Sequence, residues 1–241
     1  MAVPSELGSA TSGELAGSAV TVLVPIGSTE QHGPHLPLDT DTRIAAAVGR
    51  QVAARLSAET AGAGHYVVAP ATGYGDSGEH QSFAGTISIG TTALTLLLVE
   101  YGRSVSCWAH RVVFVNGHGG NVAALSAAVR QLRSEARDAA WCPCVVSGAD
   151  AHAGHTETSV LLHLSPDVVR ADRYLRGNQK PLSELIPVMQ RGGVAAVSDI
   201  GVLGDPTTAT AEEGARIVAE MVDRSMLAIA AWKPGPDGRL R

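Results

Sequence analysis

The chain alternates between short apolar, β-branched stretches and longer segments whose apolar residues recur with helical spacing. Strands are predicted at residues 21–26, 66–69, 111–115 and 143–146. Helices are predicted at residues 42–56, 92–108, 121–137, 157–164 and 211–231. Strands that are apolar on both faces and separated by helices are typical of a buried parallel sheet. The pattern therefore predicts an α/β fold, a three-layer α/β/α sandwich with a mainly parallel sheet.

Capping residues support two of these helices. Thr91 precedes the second predicted helix and is a candidate N-cap. Thr210 and Glu213 have the spacing of a capping box at the start of the last helix. No internal repeat and no linker-like stretch interrupts the pattern, so residues 1–241 are predicted to form a single domain. The ends, 1–18 and 233–241, are expected to be flexible.

Composition limits the classes of function. Apolar residues make up 45% of the chain and charged residues 17%, which is enough for a sizeable core. The formal net charge is −5 and no basic run occurs, so neither nucleic acid nor a membrane surface is an expected partner. No stretch is long enough for a membrane span or has the features of a secretory signal. Three cysteines cannot all pair, which favours a reducing compartment, and we expect a cytoplasmic protein.

The first cluster of polar residues follows the first predicted strand. Within 12 residues it contains Glu30, His32, His35, Asp39 and Asp41. Glu30 and His32 are two residues apart, so an extended backbone points both side chains to one side. Carboxylates mixed with imidazoles suit Zn, Fe or Mn. The alternative is a polar loop whose acidic residues cap the next helix, which is the role we expect for Asp39.

The second cluster, Asn116-Gly-His118-Gly-Gly-Asn121, follows the third predicted strand. Its glycines permit a tight turn and leave His118 at the end of that strand. Gly-rich loops before helices also bind phosphate, but this one lacks the dinucleotide-binding and P-loop patterns. Ligands gather at the carboxyl ends of parallel strands. We therefore predict that His118 is a metal ligand.

Two further polar segments carry candidate residues. His152 and Glu157 follow the fourth predicted strand, and His152 is a candidate for moving protons. Glu157 is a candidate metal ligand or base, although a carboxylate at a helix start also interacts favourably with the helix dipole. The loop at 77–86 contains Glu79 and His80, which we expect to form a wall of the substrate pocket.

Clusters at the ends of the first, third and fourth predicted strands imply one shared centre. Oxygen donors with imidazoles and no thiolate argue for a hydrolytic site and against a structural zinc site. Two metals that share Asp41 would lower the pKa of a water molecule and polarise a carbonyl group. The sequence therefore predicts a two-metal hydrolase.

The same segments resemble the creatininase family of metal-dependent amidohydrolases. The resemblance covers most of the chain through four motifs: G-S-T-E-Q-H-G-P-H-L-P-L-D-T-D at 27–41, S-G-E-H-Q-S-F-A-G-T at 77–86, N-G-H-G-G-N at 116–121 and H-A-G-H-T-E-T-S at 152–159. It implies a three-layer α/β fold, a centre of two divalent metals, and a closed homo-oligomer of six or eight subunits. It also implies a proton-handling role for His152.

Carried over to this chain, the resemblance gives each metal its ligands. One metal would take Glu30, Asp41 and His118. The other would take His32, the bridging Asp41 and, as in members with N-G-H-G-G-N, Glu157. In creatininase itself a Tyr and a ligand Glu follow the His of this motif, and Gly119 and Gly120 replace them here. That departure argues against creatinine as substrate, and it places Gly119 at the pocket.

Within the family, the length and the first motif are most similar to members that cut a modified precursor peptide near its C-terminus and release a cross-linked Val-Tyr unit. A small cyclic amide or a formamide is the alternative substrate. Two other classes stay open: an inactive metal-binding scaffold, disfavoured by the full ligand set, and a nucleotide-binding oxidoreductase, disfavoured because no acidic residue follows a dinucleotide fingerprint. Fe, Zn and Mn all accept these ligands.

Overall fold

A four-stranded parallel sheet lies at the centre of the computed structural model, which describes residues 3–59 and 64–241. The strand order is β2-β1-β3-β4, and every neighbouring pair is parallel. In the register, Val24 lies opposite Phe114 and Phe114 opposite Trp141. The strands are β1 Val20–Ile26, β2 His65–Val68, β3 Arg111–Asn116 and β4 Ala139–Pro143.

Helices cover both faces of the sheet. They are α1 Ser12–Leu15, α2 Thr40–Glu59, α3 Gly90–Val105, α4 Val122–Ser134, α5 His155–Leu164, α6 Leu182–Gly192 and α7 Ala211–Ala231. Helices α2, α5 and α7 pack with Leu23 in one apolar cluster. Helices α3 and α4 pack with Val22 and Val24 in another. Successive residues of β1 thus face opposite layers, and the predicted three-layer α/β/α sandwich is confirmed.

The fourth strand was predicted at the wrong place. It runs from Ala139 to Pro143, whereas the sequence predicted residues 143–146. Helix α4 ends at Ser134 because Ala136 adopts a left-handed conformation with φ 60°. Glycine would have signalled that turn, but alanine does not. The alanines at the start of β4 are then buried by pairing with β3, which overrides their helical propensity.

Of the two predicted helix caps, the structure confirms Thr210 and contradicts Thr91. The Thr210 hydroxyl oxygen accepts a hydrogen bond from the Glu213 backbone N–H at 3.1 Å, as predicted for the start of α7. Thr91 was predicted wrongly as a cap, because α3 begins one residue earlier, at Gly90. The Thr91 hydroxyl instead donates a hydrogen bond to the Asp76 carboxylate, which ties α3 to the loop before it.

Both ends of the chain have defined contacts, apart from residues 1–2, which lie outside the described residues. The Val68 backbone N–H donates to the Ser5 carbonyl oxygen at 2.8 Å. Leu240 is buried, and its N–H donates to the Trp141 carbonyl oxygen at 2.9 Å. The flexibility expected of 1–18 and 233–241 stays a prediction, as does the single domain. Nowhere in the described ranges does a helix have the length and apolar character needed to cross a membrane.

Candidate metal centre

The predicted site residues meet at the carboxyl edge of the sheet. Glu30 and His32 lie in the loop after β1, which leads to Asp41 in the first turn of α2. His118 lies in the loop after β3, and His152 in the loop after β4. Glu157 lies in the first turn of α5. Because all these strands are parallel, their carboxyl ends bring the side chains together. We call these six residues the His/carboxylate cluster.

Glu30 is the most deeply buried carboxylate of the cluster. Its side chain is 0% exposed, and neither carboxylate oxygen has a hydrogen-bond partner. Its Oε2 lies 3.2 Å from His118 Nε2, and its Oε1 lies 3.3 Å from His80 Nε2 and 3.8 Å from His152 Nδ1. A buried carboxylate costs free energy unless it is paired or coordinates a metal. The unsatisfied oxygens of Glu30 therefore point to a cation at this position.

Asp41 lies between two histidines. Its Oδ1 is 3.2 Å from His32 Nε2, and its Oδ2 is 3.2 Å from His118 Nδ1. The Ser28 hydroxyl donates a 2.6 Å hydrogen bond to Oδ2 and holds the carboxylate in place. Because each oxygen faces a different imidazole, Asp41 has the placement that a carboxylate shared by two metal ions requires.

The cluster contains three sets of potential ligand atoms, and within each set the atoms lie within 4.8 Å of one another. Two sets match the groupings that the family resemblance implied. The third was not expected, and it includes His152. A carboxylate-and-imidazole donor set fits Zn, Fe or Mn, so the residues present fit the predicted metals. The sets are Glu30, Asp41 and His118; His32, Asp41 and Glu157; and Glu30, His32 and His152.

Backbone carbonyl groups orient His32 and His118, the histidines that face Asp41. His32 Nδ1 lies 3.1 Å from the Glu30 carbonyl oxygen, and His118 Nε2 lies 2.9 Å from the Asp76 carbonyl oxygen. Each N–H donates to its carbonyl group, which leaves the other ring nitrogen facing Asp41. At Gly120, an added Cβ would clash with the Asp76 oxygen and the His118 ring. The glycine therefore permits the contact that fixes the His118 ring.

The placement of Glu157 depends on the start of α5. The Glu157 side chain is 22% exposed, and its Oε2 lies 3.8 Å from His32 Nε2. The Ala153 backbone N–H donates to the same oxygen at 2.6 Å. Asp150 accepts hydrogen bonds from the His155 and Thr156 N–H groups and so caps the helix. The capped first turn thus directs Glu157 towards the second ligand set.

His152 lies beside the rings of His32 and His80. Its ring centroid is 4.4 Å from the centroid of each. Its Nε2 donates to the Gln31 carbonyl oxygen at 2.8 Å, so Nδ1 carries the lone pair. That Nδ1 lies 3.8 Å from Glu30 Oε1 and 4.0 Å from Glu157 Oε2. The free nitrogen of His152 therefore faces the carboxylates, where it can accept a proton or contact a cation.

Burial and mutual charge shift the pKa values of the cluster. Burial raises the pKa of both Glu30 and Glu157 to about 7. Burial alone would lower the pKa of His32 and His118, but the surrounding carboxylates outweigh it and raise both to about 10. These histidines in turn hold the pKa of Asp41 well below its usual range, against the effect of burial. Metal-free, the cluster therefore retains protons that a metal would displace.

The remaining two histidines near the centre are neutral. Burial, followed by the charge of His32, holds the pKa of His152 well below its usual range. Burial and the charge of His118 lower the pKa of His80 to about 3. A neutral His152 is suited to accept a proton during a reaction.

A cavity of about 700 Å³ opens beside the cluster, and Gly119 and Glu157 contribute to its wall. Glu79 and His80, expected in the pocket wall, lie elsewhere around the cluster. His80 contacts Glu30, and Glu79 Oε1 is 3.6 Å from His118 Nε2. The segment before α6 supplies lining residues that the sequence did not predict, including Asn178 and Lys180. Backbone hydrogen bonds to residues 202–204 position this segment, and no local sequence signal reports them.

Comparison with known proteins agrees with this fold. A relative from Mycobacterium ulcerans (strain Agy99), "Mycofactocin precursor peptide peptidase", is 66% identical over 99% of this chain and 96% of the relative. A protein of the same description from Mycobacterium tuberculosis (strain CDC 1551 / Oshkosh) is 65% identical over the same shares. A solved mutant creatininase of "Zn-Zn type" has a TM-score of 0.77 and 26% identity, covering 98% of this chain and 100% of that chain.

The family model described as "Creatininase: Creatinine amidohydrolase" matches residues 5–229. A parallel α/β/α fold with a His/carboxylate cluster at the strand ends, matched over nearly its whole length, defines a hydrolase of the amidohydrolase type. The chain belongs to the creatininase family.

Proposed function

We propose that the chain is a metal-dependent peptidase that cleaves the mycofactocin precursor peptide near its C-terminus and releases the modified Val-Tyr unit. The observation that supports hydrolysis is the buried Glu30 carboxylate, whose oxygens have no hydrogen-bond partner and lie 3.2 Å from His118 and 3.3 Å from His80. The peptide substrate is supported by the two mycobacterial relatives, whose similarity extends over 99% of the chain.

We propose that the cluster holds two divalent metal ions per subunit, Fe or Zn first and Mn as the alternative. Glu30, Asp41 and His118 would hold one ion, and His32, Asp41 and Glu157 the other. When bound, such ions polarise the scissile carbonyl group and lower the pKa of water. The support is the coincidence of these two ligand sets with groups of atoms that lie within 4.8 Å of one another.

The chain's own groups would then handle the proton. His152 is neutral, with its Nε2–H donated to the Gln31 carbonyl oxygen and its Nδ1 facing the carboxylates. It would accept a proton at Nδ1 from the attacking water and pass that proton to the nitrogen of the leaving amine. Gln31 is buried, and its side-chain Nε2 donates to the Gly201 carbonyl oxygen at 3.1 Å, which helps to hold the residue whose backbone carbonyl group accepts from His152.

A small-amide hydrolase is the second candidate, because the family model is described as creatinine amidohydrolase. Gly119 opens onto the 700 Å³ cavity with nothing within 4 Å of an added Cβ, which favours a peptide-sized substrate. A cytoplasmic homo-oligomer of six or eight subunits completes the proposal, and light scattering of the purified protein would give the subunit number.

The direct test is cleavage of the modified precursor peptide by the metal-loaded protein, followed by mass spectrometry. We expect a fragment of the mass of the C-terminal unit and a precursor shortened by two residues, and we expect a chelator to abolish both. An intact precursor, together with hydrolysis of a small cyclic amide, would favour the second candidate. No hydrolysis of either substrate by fully metal-loaded protein would favour an inactive scaffold.

A further inference from the structure

Asn121 is a fully buried polar residue that the proposed reaction does not use. It lies at 0% exposure between the loop that contains His118 and the first residue of α4. An asparagine at this position usually accepts a hydrogen bond from the first turn of its helix. In the described part of the chain, the Asn121 side chain makes no such capping bond. Its hydrogen bonds go to residues outside α4, which indicates a different role.

The side-chain amide of Asn121 joins three segments at the carboxyl edge of the sheet. Its Nδ2 donates to the Gly27 carbonyl oxygen at 2.9 Å and to Asn116 Oδ1 at 3.2 Å. Its Oδ1 accepts from the Asp76 backbone N–H at 2.9 Å. Gly27 follows β1, Asn116 ends β3, and Asp76 lies in the loop after β2. We call these three hydrogen bonds the Asn121 bridge, because they hold the ends of three strands relative to one another.

The Asn121 bridge fits closely against the loop after β2. An added Cβ at Gly75 would clash with Asn121 Oδ1 and with the Gly27 carbonyl oxygen. A residue with a side chain at this position would therefore push the amide away from its partners. The glycine lets the backbone of the loop approach the amide, so that the next residue, Asp76, can donate its N–H to it.

The bridge holds the group that orients the His118 ring. Asn121 binds the N–H of Asp76, and the carbonyl oxygen of Asp76 accepts from His118 Nε2 at 2.9 Å. The same ring nitrogen has a competing acceptor, since Glu30 Oε2 lies 3.2 Å away. The Asp76 carbonyl group therefore fixes which way the ring faces, with Nδ1 at 3.2 Å from Asp41 Oδ2.

The backbone of His118 is connected to the same bridge. Asn116 Nδ2 donates to the His118 carbonyl oxygen at 2.6 Å, and Asn116 Oδ1 accepts from the His118 N–H at 3.3 Å. That Oδ1 also accepts from Asn121 Nδ2. The ring and the backbone of His118 are thus each one residue away from Asn121, through Asp76 and through Asn116. Buried polar groups linked in this way fix one another's orientation.

We propose that Asn121 positions His118 and so raises the metal affinity of the ligand set that contains it. This inference rests on the proposed two-metal centre. Asn121 would contact neither a metal ion nor the substrate, and would act through the residues that hold His118. Losing such an outer hydrogen-bond partner typically lowers metal affinity by roughly 10- to 100-fold. The His118 set is Glu30, Asp41 and His118, and the His32 set is His32, Asp41 and Glu157.

The first experiment measures Zn²⁺ binding to wild type, Asn121→Ala and the matched control Asn178→Ala, each stripped of metal beforehand. Asn178 also links backbone groups, since it accepts from the Lys180 N–H at 3.0 Å and donates to the Val197 carbonyl oxygen at 3.0 Å. Neither contact involves the His/carboxylate cluster. Competition with a chelator gives the affinity for each ion. In Asn121→Ala we expect one ion to bind roughly 10- to 100-fold more weakly and the other as in wild type, whereas Asn178→Ala should bind both like wild type.

The imidazole proton of His118 gives a second readout, which a general loss of stability would not reproduce. In Zn²⁺-loaded wild type labelled with ¹⁵N-histidine, we expect NMR to show the His118 proton on Nε2, in slow exchange with water because the Asp76 carbonyl oxygen accepts it. His118→Gln assigns the resonance. The proton should exchange faster in Asn121→Ala and at the wild-type rate in Asn178→Ala.

Equal weakening of both ions in Asn121→Ala, or no weakening of either, would overturn the proposal. So would a His118 proton on Nδ1 in Zn²⁺-loaded wild type, a result that stands even if Asn121→Ala does not fold. Peptide cleavage plays no part in these measurements. If wild type does not bind two ions, the proposed two-metal centre fails, and proton exchange in the metal-free proteins then tests the positioning. Faster exchange in Asn121→Ala alone supports it, and equal exchange in wild type and Asn121→Ala contradicts it.

Discussion

At the scale of single residues, the centre consists of carboxylates and imidazoles that are buried away from water. Both oxygens of Glu30 lack a hydrogen-bond partner at 0% exposure, and Asp41 faces a different histidine with each oxygen. Removing such charges from water is costly unless they are paired or bind a cation. The identity of these residues could be predicted, because motif spacing and the strand ends report it. Their orientation could not, since it depends on carbonyl groups such as that of Asp76, which are distant in sequence.

Glu157 Oε2 and His152 Nδ1 lie 4.0 Å apart, but replacing the two residues should have different effects on metal content and turnover. Glu157→Ala removes a ligand of the second set, so we expect metal content to fall from two ions per subunit towards one, and turnover to fall with it. His152→Asn keeps both proposed sets of three ligands and removes the proton carrier, so we expect metal content to stay unchanged and turnover to fall by roughly 10²–10⁴. Elemental analysis and steady-state rates measure both.

The opposite results for metal content would give Glu157 and His152 different roles. Unchanged metal content in Glu157→Ala would make Glu157 a base or a helix-dipole residue. Loss of metal in His152→Asn would make His152 a ligand, as its place in the third set of ligand atoms allows. Glu79→Gln is a suitable control, because Glu79 lies 3.6 Å from His118 and outside all three sets.

At the scale of elements, the start of α5 connects helix capping to the metal centre. Asp150 caps this helix, whose first turn carries Glu157. Thr210 caps α7, which carries no residue of the His/carboxylate cluster. Both side chains accept backbone N–H groups in the first turn of a helix, but only the helix that Asp150 caps contains a residue of the cluster.

Asp150→Ala and Thr210→Ala form a matched pair. We expect each to lower the free energy of unfolding by about 1 kcal/mol, the usual effect of losing a helix cap. Only Asp150→Ala should also lower occupancy of the second metal, because it loosens the turn that holds Glu157. Denaturant unfolding and metal analysis measure the two effects. Equal metal content in both variants would show that Glu157 does not depend on the cap.

Elements were predictable where the signal was local and missed where it was not. β1 and α7 were predicted nearly to the residue, because a buried apolar run and a capping threonine mark them. The predicted position of β4 was four residues too late along the chain. The left-handed turn at Ala136 has no glycine to mark it, and the alanines that follow are buried because they pair with β3. The cavity segment with Asn178 and Lys180 was also missed, because long-range backbone hydrogen bonds position it.

At the scale of the whole molecule, metal loading should be linked to protons. In the metal-free protein the pKa values of His32 and His118 are raised to about 10, and those of Glu30 and Glu157 to about 7. Between pH 6 and 8 the two histidines therefore hold protons, and the two glutamates hold them partly. Metal ions bind the deprotonated forms, so binding must release these protons.

The affinity for metal ions should depend on pH. Raising the pH removes competing protons, so we expect the affinity for Zn²⁺ to increase steadily from pH 6 to pH 8. Competition with a chelator of known affinity measures it at each pH, and calorimetry in buffers of different ionisation enthalpy counts the protons released. An affinity that is flat across this range, without proton release, would contradict the charge state that burial and pairing give the cluster.

The central claim is that this His/carboxylate cluster works as a two-metal centre for peptide cleavage. The most direct measurement titrates metal-free protein with Zn²⁺ or Fe²⁺ and records the rate at which the C-terminal unit leaves the modified precursor peptide. We expect no release without metal and a rate that saturates at two ions per subunit. Full release by the metal-free protein, or no release at any loading, would contradict it.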